Sequence, residues 1–100
     1  MSKSFIKIVS LDKTKRIITQ PQSKRLRSGL VILKPKSSVG QHSTGEKEEI
    51  LIIIKGLALI SAGKQTKRVR QGHAIFIPSN TLHNVTNIGK ALLSYTYIVA

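Results

Sequence analysis

Short runs of apolar residues, each about the length of a strand and each ended by Gly, Pro, Asn or Ser, recur along the whole sequence. No stretch of more than a dozen residues carries the 3.6-residue apolar period that an amphipathic helix needs. Strand-length runs rich in Ile, Val and Leu and separated by turn residues are typical of an all-β sandwich or barrel. A chain of 100 residues has room for one hydrophobic core. We therefore predict a single all-β domain over residues 1–100.

These runs predict ten strands. They are Phe5–Ser10, Arg16–Thr19, Leu26–Leu33, Val39–His42, Glu49–Lys55, Leu57–Ala62, Thr66–Arg70, Ala74–Ile77, His83–Asn87 and Ala91–Val99. Because glycine readily adopts the positive φ of tight turns, Lys55-Gly56 and Gly63-Lys64 are predicted to join antiparallel hairpins. The run Ile50–Ile54 is apolar without alternation, which indicates a strand covered on both faces, by two sheets or by one sheet and a partner subunit. We favour the partner subunit and expect a homodimer.

The sequence contains no cysteine, which excludes disulfides, thiolate metal sites and cysteine nucleophiles. Any metal must therefore be bound by histidine or carboxylate side chains. Residues 1–7 lack the apolar core of a signal peptide, and Ile50–Ile54 is far shorter than the roughly 20 residues that span a bilayer. We predict a cytoplasmic protein with no membrane association.

The charge is strongly unbalanced, with 17 Lys and Arg against 4 Asp and Glu and a net charge of +13. Such a balance favours anionic partners. The basic residues are scattered, and no aromatic residues are interleaved among them to stack on bases, so we expect a solvated basic surface and no specific nucleic-acid binding. Three of the four acids, Glu46, Glu48 and Glu49, lie within four residues of one another. Their clustering indicates a local role, which we assign to Glu49, with Glu46 and Glu48 solvated.

Two histidines are candidates for a shared site. His42 and Thr44 lie on one face of an extended segment, Glu49 begins the next apolar strand, and His83 follows a turn. Two neutral imidazoles and a carboxylate suit a divalent first-row metal and leave positions open for water or substrate. The alternative is that the three side chains hydrogen-bond one another in a polar barrel interior. His73, at the start of a strand, is expected at the surface or an edge.

Residues 36–56 and 72–87 carry spaced sets of glycine, histidine and polar residues. The second set is Gly72, Pro78, Asn80, His83 and Asn87, and the first is Lys36, His42, Thr44, Glu49 and Gly56. These sets resemble the two motifs of the cupin family, Gly-x5-Pro-x-Gly-x2-His-x3-Asn and Gly-x5-His-x-His-x3-4-Glu-x6-Gly. Asn80 replaces a glycine and tolerates the left-handed conformation that this position requires. Lys36 replaces the opening glycine, and Thr44 replaces the second histidine.

The resemblance implies a double-stranded β-helix, or jelly-roll barrel, with motif 1 at about 36–56 and motif 2 at about 72–87. It also implies that His42, Glu49 and His83 bind a divalent metal, which could be Fe, Mn, Ni or Zn. Thr44 then faces the same pocket at the position of a fourth ligand, where its hydroxyl could hold an ordered water. Because three ligands hold a metal less firmly than four, we expect partial occupancy unless metal is supplied.

Cupins include enzymes and non-catalytic proteins, so the resemblance leaves the function open. One hypothesis is a metal-binding cupin that binds or transforms a small anionic metabolite in the barrel interior. The alternative is a non-catalytic ligand-binding or sensor module without metal. Tyr95 and Tyr97 share a face of the last strand, where they form a core or interface stripe or, alternatively, reach the pocket with a hydroxyl. No serine triad, phosphate loop or glycosidase carboxylate pair has motif support.

Overall fold

The computed structural model describes residues 6–100, and in that range the chain forms nine β-strands and no helix. The strands are β1 (Lys15–Ile18), β2 (Arg27–Leu33), β3 (His42–Ser43), β4 (Glu49–Lys55), β5 (Leu57–Ala62), β6 (Gln65–Arg70), β7 (Ala74–Ile77), β8 (Leu82–Asn87) and β9 (Leu93–Val99). All named strand pairs are antiparallel. The predicted all-β fold is confirmed, and no helix of residues 6–100 could cross a membrane.

The strands form two sheets that pack face to face. One sheet has the order β1-β2-β9-β4-β7, and the other has the order β3-β8-β5-β6. Alternate residues of each strand point into the space between the sheets, as strand geometry requires. The buried core contains Leu51, Ile53, Ile77, Leu93 and Tyr95 from the first sheet and Ala58, Ile60 and Val85 from the second. The core therefore lies between the two sheets.

The strand β4 is covered on one face within the single chain. Leu51 and Ile53 are each 1% exposed, whereas Ile50, Ile52 and Ile54 are 39–44% exposed on the outer face of the sheet. The second sheet thus covers the inner face only, and the alternative of two covering sheets is wrong. The apolar run Ile50–Ile54 therefore contributes Leu51 and Ile53 to the core and the other three isoleucines to an exposed apolar face.

One of the two predicted hairpins is confirmed. Ala62 pairs with Gln65 across Gly63-Lys64, and β5 and β6 are antiparallel neighbours. The prediction for Lys55-Gly56 is wrong, because β4 and β5 lie in different sheets. Gly56 has a φ of 100°, and a Cβ there would lie 2.8 Å from the Leu92 carbonyl oxygen, so the chain crosses between the sheets at a point too close for a side chain.

The first predicted strand is absent from the described residues. Residues 6–10 form no strand, and Phe5 lies outside the described range. Ile6 and Ile8 have the alternation of a strand but are 92% and 90% exposed, since neither sheet offers them a partner in the single chain. The apolar pattern alone cannot distinguish a strand from an extended segment that has no pairing edge.

Both substituted glycine positions of the motifs adopt the conformation that glycine favours. Asn80 has a φ of 54°, as predicted, and Lys36 has a φ of 71°. Lys36 also donates its backbone N–H to the Asn87 carbonyl over 2.9 Å. The local backbone of both motifs is therefore preserved despite the substitutions.

Asn87 connects three backbone segments at the end of β8. It is fully buried, its Nδ2 donates to the Leu33 and Ala91 carbonyls, and its Oδ1 accepts the Gly89 N–H, each over 2.9 Å. We expect Asn87→Ala to lower the free energy of unfolding by about 2–4 kcal/mol, because buried backbone groups lose their partners. Urea denaturation measures the loss. Asn84→Ala, which removes an amide that is only half-buried, is the control and should cost about 1 kcal/mol. Equal losses would contradict this role for Asn87.

Candidate functional site

The three predicted site residues come together from both sheets. His42 on β3 and His83 on β8 are direct partners in the second sheet, and Glu49 begins β4 in the first. The imidazole centroids are 4.1 Å apart, and Nε2 of His83 lies 2.9 Å from Oε1 of Glu49. One nitrogen of each histidine and a carboxylate oxygen of Glu49 lie within 4.8 Å of one another. The spacing suits three ligands of a single ion.

Both imidazoles are oriented by a backbone carbonyl. Nδ1 of His42 lies 2.9 Å from the Gly40 oxygen, and Nδ1 of His83 lies 3.0 Å from the Thr81 oxygen. A carbonyl oxygen only accepts hydrogen bonds, so the proton of each ring is on Nδ1. In the neutral ring Nε2 then carries a lone pair. Metal-binding histidines are commonly oriented by this type of contact.

The Nε2 atom of His83 has no hydrogen-bond partner among residues 6–100, although the ring is 1% exposed. Its 2.9 Å separation from Glu49 would suit an ion pair, but the approach does not satisfy the geometry of a hydrogen bond. Glu49 is 7% exposed, so its carboxylate also has little access to water. Electron-rich atoms that face one another in a buried space require a proton or a cation between them. The site therefore has the donor set and the spacing for a divalent metal ion.

A pocket of about 300 Å³ opens beside these three residues. Its lining combines the three candidate ligands with a mainly apolar and aromatic wall and one basic side chain: His42, Glu49, His83, Val31, Val39, Leu51, Val85, Tyr95, Tyr97 and Arg27. The volume is at the lower end of the range for ligand pockets, about 300–1,000 Å³. The pocket suits a small ligand with a short carbon chain.

Tyr95 and Tyr97 both line this pocket, and Tyr95 also belongs to the core. Burial raises the pKa of the Tyr95 phenol well above its ordinary value, and the nearby Glu49 charge and Tyr97 raise it further. The phenol is therefore protonated at neutral pH and can donate a hydrogen bond. Tyr95 is thus a core residue, as one alternative predicts, and both tyrosines also line the pocket, which is consistent with the other alternative.

The hydroxyl of Thr44 has two backbone partners. Thr44 is buried, its hydroxyl donates to the Pro78 carbonyl over 2.7 Å, and it accepts the Thr81 N–H over 3.1 Å. It is not among the residues that line the pocket. This placement does not support the prediction that Thr44 faces the metal position, because the hydroxyl joins two loops.

The remaining polar candidates lie outside the pocket. Glu49 faces inward, while Glu46 and Glu48 are exposed. His73 is exposed, and its Nδ1 contacts the Arg70 and Gln71 carbonyls. A larger hollow of about 470 Å³ lies beside β6 and β7, lined in part by His73, Arg70 and other basic side chains, but it contains no carboxylate. We assign the site to the smaller pocket because the potential ligands converge there.

The sequence did not identify Arg27 as a pocket residue. Arg27 lies at the start of β2 and pairs with Val99, which in turn pairs with Glu49. The three residues thus form one row across the inner face of the sheet. Alternation along β2 would have shown which face Arg27 shares with Val31, but the row depends on the pairing of β2, β9 and β4, which distant segments determine.

Comparison with known proteins identifies a matching family and similar folds. The family described as "Cupin domain" matches residues 29–99. An uncharacterized protein of Methanocaldococcus jannaschii is 32% identical over 68 residues, which are 68% of this chain and 53% of that protein. The chain thus spans about half the length of this curated relative. The matched family region includes both motifs.

Two solved structures share the fold at low identity. An RmlC-like cupin family protein with a double-stranded β-helix fold from Methanocaldococcus jannaschii has a TM-score of 0.81 and 16% identity, covering 98% of this chain and 91% of that chain. A predicted oxalate decarboxylase from Thermotoga maritima has a TM-score of 0.81 and 19% identity, covering 95% of this chain and 97% of that chain. At these identities the likeness shows the fold alone. The predicted double-stranded β-helix is confirmed.

A substitution distinguishes the two roles of Thr44. Thr44→Val keeps the side-chain shape and removes both hydroxyl contacts, so we expect the free energy of unfolding to fall by about 1–3 kcal/mol while metal binding per chain is retained. Urea denaturation and elemental analysis measure the two quantities. Thr66→Val on the exposed strand β6 is the control and should change neither. Loss of metal without loss of stability would restore Thr44 as a ligand.

Proposed function

Because the chain belongs to the cupin family, we propose that it binds a divalent metal ion through His42, Glu49 and His83 and holds a small anionic metabolite beside it. When bound, the ion would act as a Lewis acid that polarises a carboxylate or carbonyl oxygen of the ligand. Imidazole and carboxylate ligands suit Fe, Mn, Ni or Zn. The unpartnered Nε2 of the buried His83 is the observation that carries this proposal.

The residues around the three candidate ligands orient the imidazoles and form an apolar wall. The Gly40 and Thr81 carbonyls hold the two imidazoles with Nε2 available. Val31, Leu51 and Val85 provide a wall that limits water and fits a short apolar body. The pocket contains no further carboxylate or imidazole that could act as a general base. We therefore propose that the site binds the ligand and polarises it.

Two observations favour an anion as the ligand. The net charge of +13 attracts anions to the whole surface. Arg27 adds one positive charge to the lining of the pocket itself. A small carboxylate agrees with both observations and with the volume of the pocket.

Removal of one histidine tests the metal site. Protein prepared without chelator and then loaded with Zn²⁺ or Mn²⁺ should bind one ion per chain. We expect His42→Ala and His83→Ala each to weaken binding by more than the roughly 10- to 100-fold that loss of an outer hydrogen-bond partner costs, because each removes a ligand. Calorimetric titration and elemental analysis measure the change.

The control for this experiment is His73→Ala, which removes an exposed histidine outside the pocket and should leave binding unchanged. His42 is itself exposed, so its truncation leaves the core filled and separates loss of metal from loss of folding. A folded wild-type protein that binds neither ion would refute the metal site. That result would favour the alternative, a ligand-binding or sensor module without metal.

We also propose that two copies associate through the outer face of β4 and its neighbours. Ile50 lies in one row with Ile98 and Phe76, and Ile52 lies in the next row with Thr96 and Ala74. These rows across β9, β4 and β7 contain no charged residue, although the chain has 17 Lys and Arg. Phe76 is 59% exposed. Exclusion of charge from one apolar face is typical of the core of a protein interface, and a second copy offers the same uncharged surface.

A charge placed on this face tests the homodimer. We expect the wild-type protein to have twice the mass of the 11.0 kDa chain in light scattering at micromolar concentration. Ile52→Lys should produce monomers, because two lysines would meet across the interface. Leu82→Lys, which alters an exposed apolar residue of the other sheet, is the matched control and should remain dimeric. A monomeric wild type across a wide dilution range would overturn the dimer.

A further inference from the structure

Arg27 occupies a defined position relative to the candidate ligands. Arg27, Val99 and Glu49 form one row across three neighbouring strands, so the backbones at Arg27 and Glu49 are about 10 Å apart. Both flanking side chains line the same pocket. Arg27 is an exposed residue that contributes to one wall of the pocket, and the opposite sheet supplies the histidine pair.

The next row explains how the phenol of Tyr97 fits beside Arg27. Gly29 pairs with Tyr97, and a Cβ on Gly29 would lie 2.5 Å from the Tyr97 hydroxyl. The phenol thus lies over a position where any side chain would displace it. Tyr97 occupies the wall between Arg27 and Val31, so the pocket combines a cation, a phenol and an apolar surface along one direction.

The charges of the pocket lining indicate which class of ligand Arg27 would bind. The described lining contains one basic side chain, Arg27, and one acidic side chain, Glu49. The charges of Arg27 and Glu49 cancel, so a divalent ion would leave the lining with two uncompensated positive charges. A single carboxylate neutralises only half of that charge, whereas a dicarboxylate neutralises all of it. Arg27 is also the side chain that can bind a carboxylate through two parallel hydrogen bonds.

We propose that Arg27 is the specificity-determining residue of the pocket and selects a short dicarboxylate. One carboxylate binds the guanidinium of Arg27, and the other binds at the His42, Glu49 and His83 end. The short apolar body between them contacts Val31 and Tyr97. This assignment rests on the proposed metal-dependent function, and it adds the class of ligand and the residue that recognises it.

Succinate and butyrate are the probes, since both have four carbons and differ in the second carboxylate. Calorimetric titration of the Zn²⁺-loaded protein is carried out at about 150 mM ionic strength, where attraction by distant surface charges is screened. We expect the wild type to bind succinate about tenfold more tightly than butyrate. Arg27→Gln should reduce this ratio to near one and leave the zinc content unchanged. Arg25→Gln makes the same change in net charge outside the pocket and should keep the wild-type ratio.

Each result separates the role of Arg27 from the metal site. A wild-type ratio near one, or equal effects of Arg27→Gln and Arg25→Gln, would overturn the selection of a dicarboxylate by Arg27. If the wild type holds no zinc, the proposed function fails, and the same titrations are made on the metal-free protein. Loss of succinate binding in Arg27→Gln alone would then still support carboxylate recognition. Equal binding by both variants would overturn it.

Discussion

The register of β4 determines the core, the site and the outer face together. Successive side chains of a strand point to opposite faces, so Glu49, Leu51 and Ile53 face inward while Ile50 and Ile52 face outward. A shift of one residue would place the carboxylate in solvent and the isoleucines in the core. Pairing with β9 on one side and β7 on the other fixes this register. The position of the candidate site is thus a consequence of the packing of the barrel.

In this register of β4, the buried carboxylate of Glu49 faces the imidazole of His83. Removal of a carboxylate from water is costly unless a positive charge or hydrogen bonds compensate for the loss. The Thr81 carbonyl holds the Nδ1 proton of His83, so Nε2 faces Glu49 without a hydrogen-bond partner in the described chain. A cation at this position would satisfy both groups. The loops around Thr44, Pro78 and Thr81 stabilise the arrangement through hydrogen bonds.

Much of this arrangement could be predicted from the sequence because strand alternation and motif spacing are local properties. The spacing of the first motif from Glu49 to Gly56 favours Glu49 over Glu48, and in the structure Glu49 is buried while Glu48 is exposed. The crossing at Gly56 could not be distinguished from a hairpin, because a glycine with positive φ serves both. Thr44 and Arg27 required knowledge of distant partners: the hydroxyl of Thr44 meets a turn more than 30 residues away, and Arg27 reaches the row of Glu49 through β9. The local sequence pattern does not specify which distant segments pair with one another.

We expect the Nε2 atoms of His42 and His83 to be available to one divalent ion while each Nδ1–H donates to a backbone carbonyl. Long-range ¹H–¹⁵N spectra of the histidine rings, recorded without and with Zn²⁺, test it directly. We expect Zn²⁺ to shift the Nε2 resonances of both rings, to leave their Nδ1 atoms protonated and to leave the ring of His73 unchanged. Unchanged Nε2 resonances of His42 and His83 in the presence of Zn²⁺, or a proton that stays on Nε2 of His83, would contradict it.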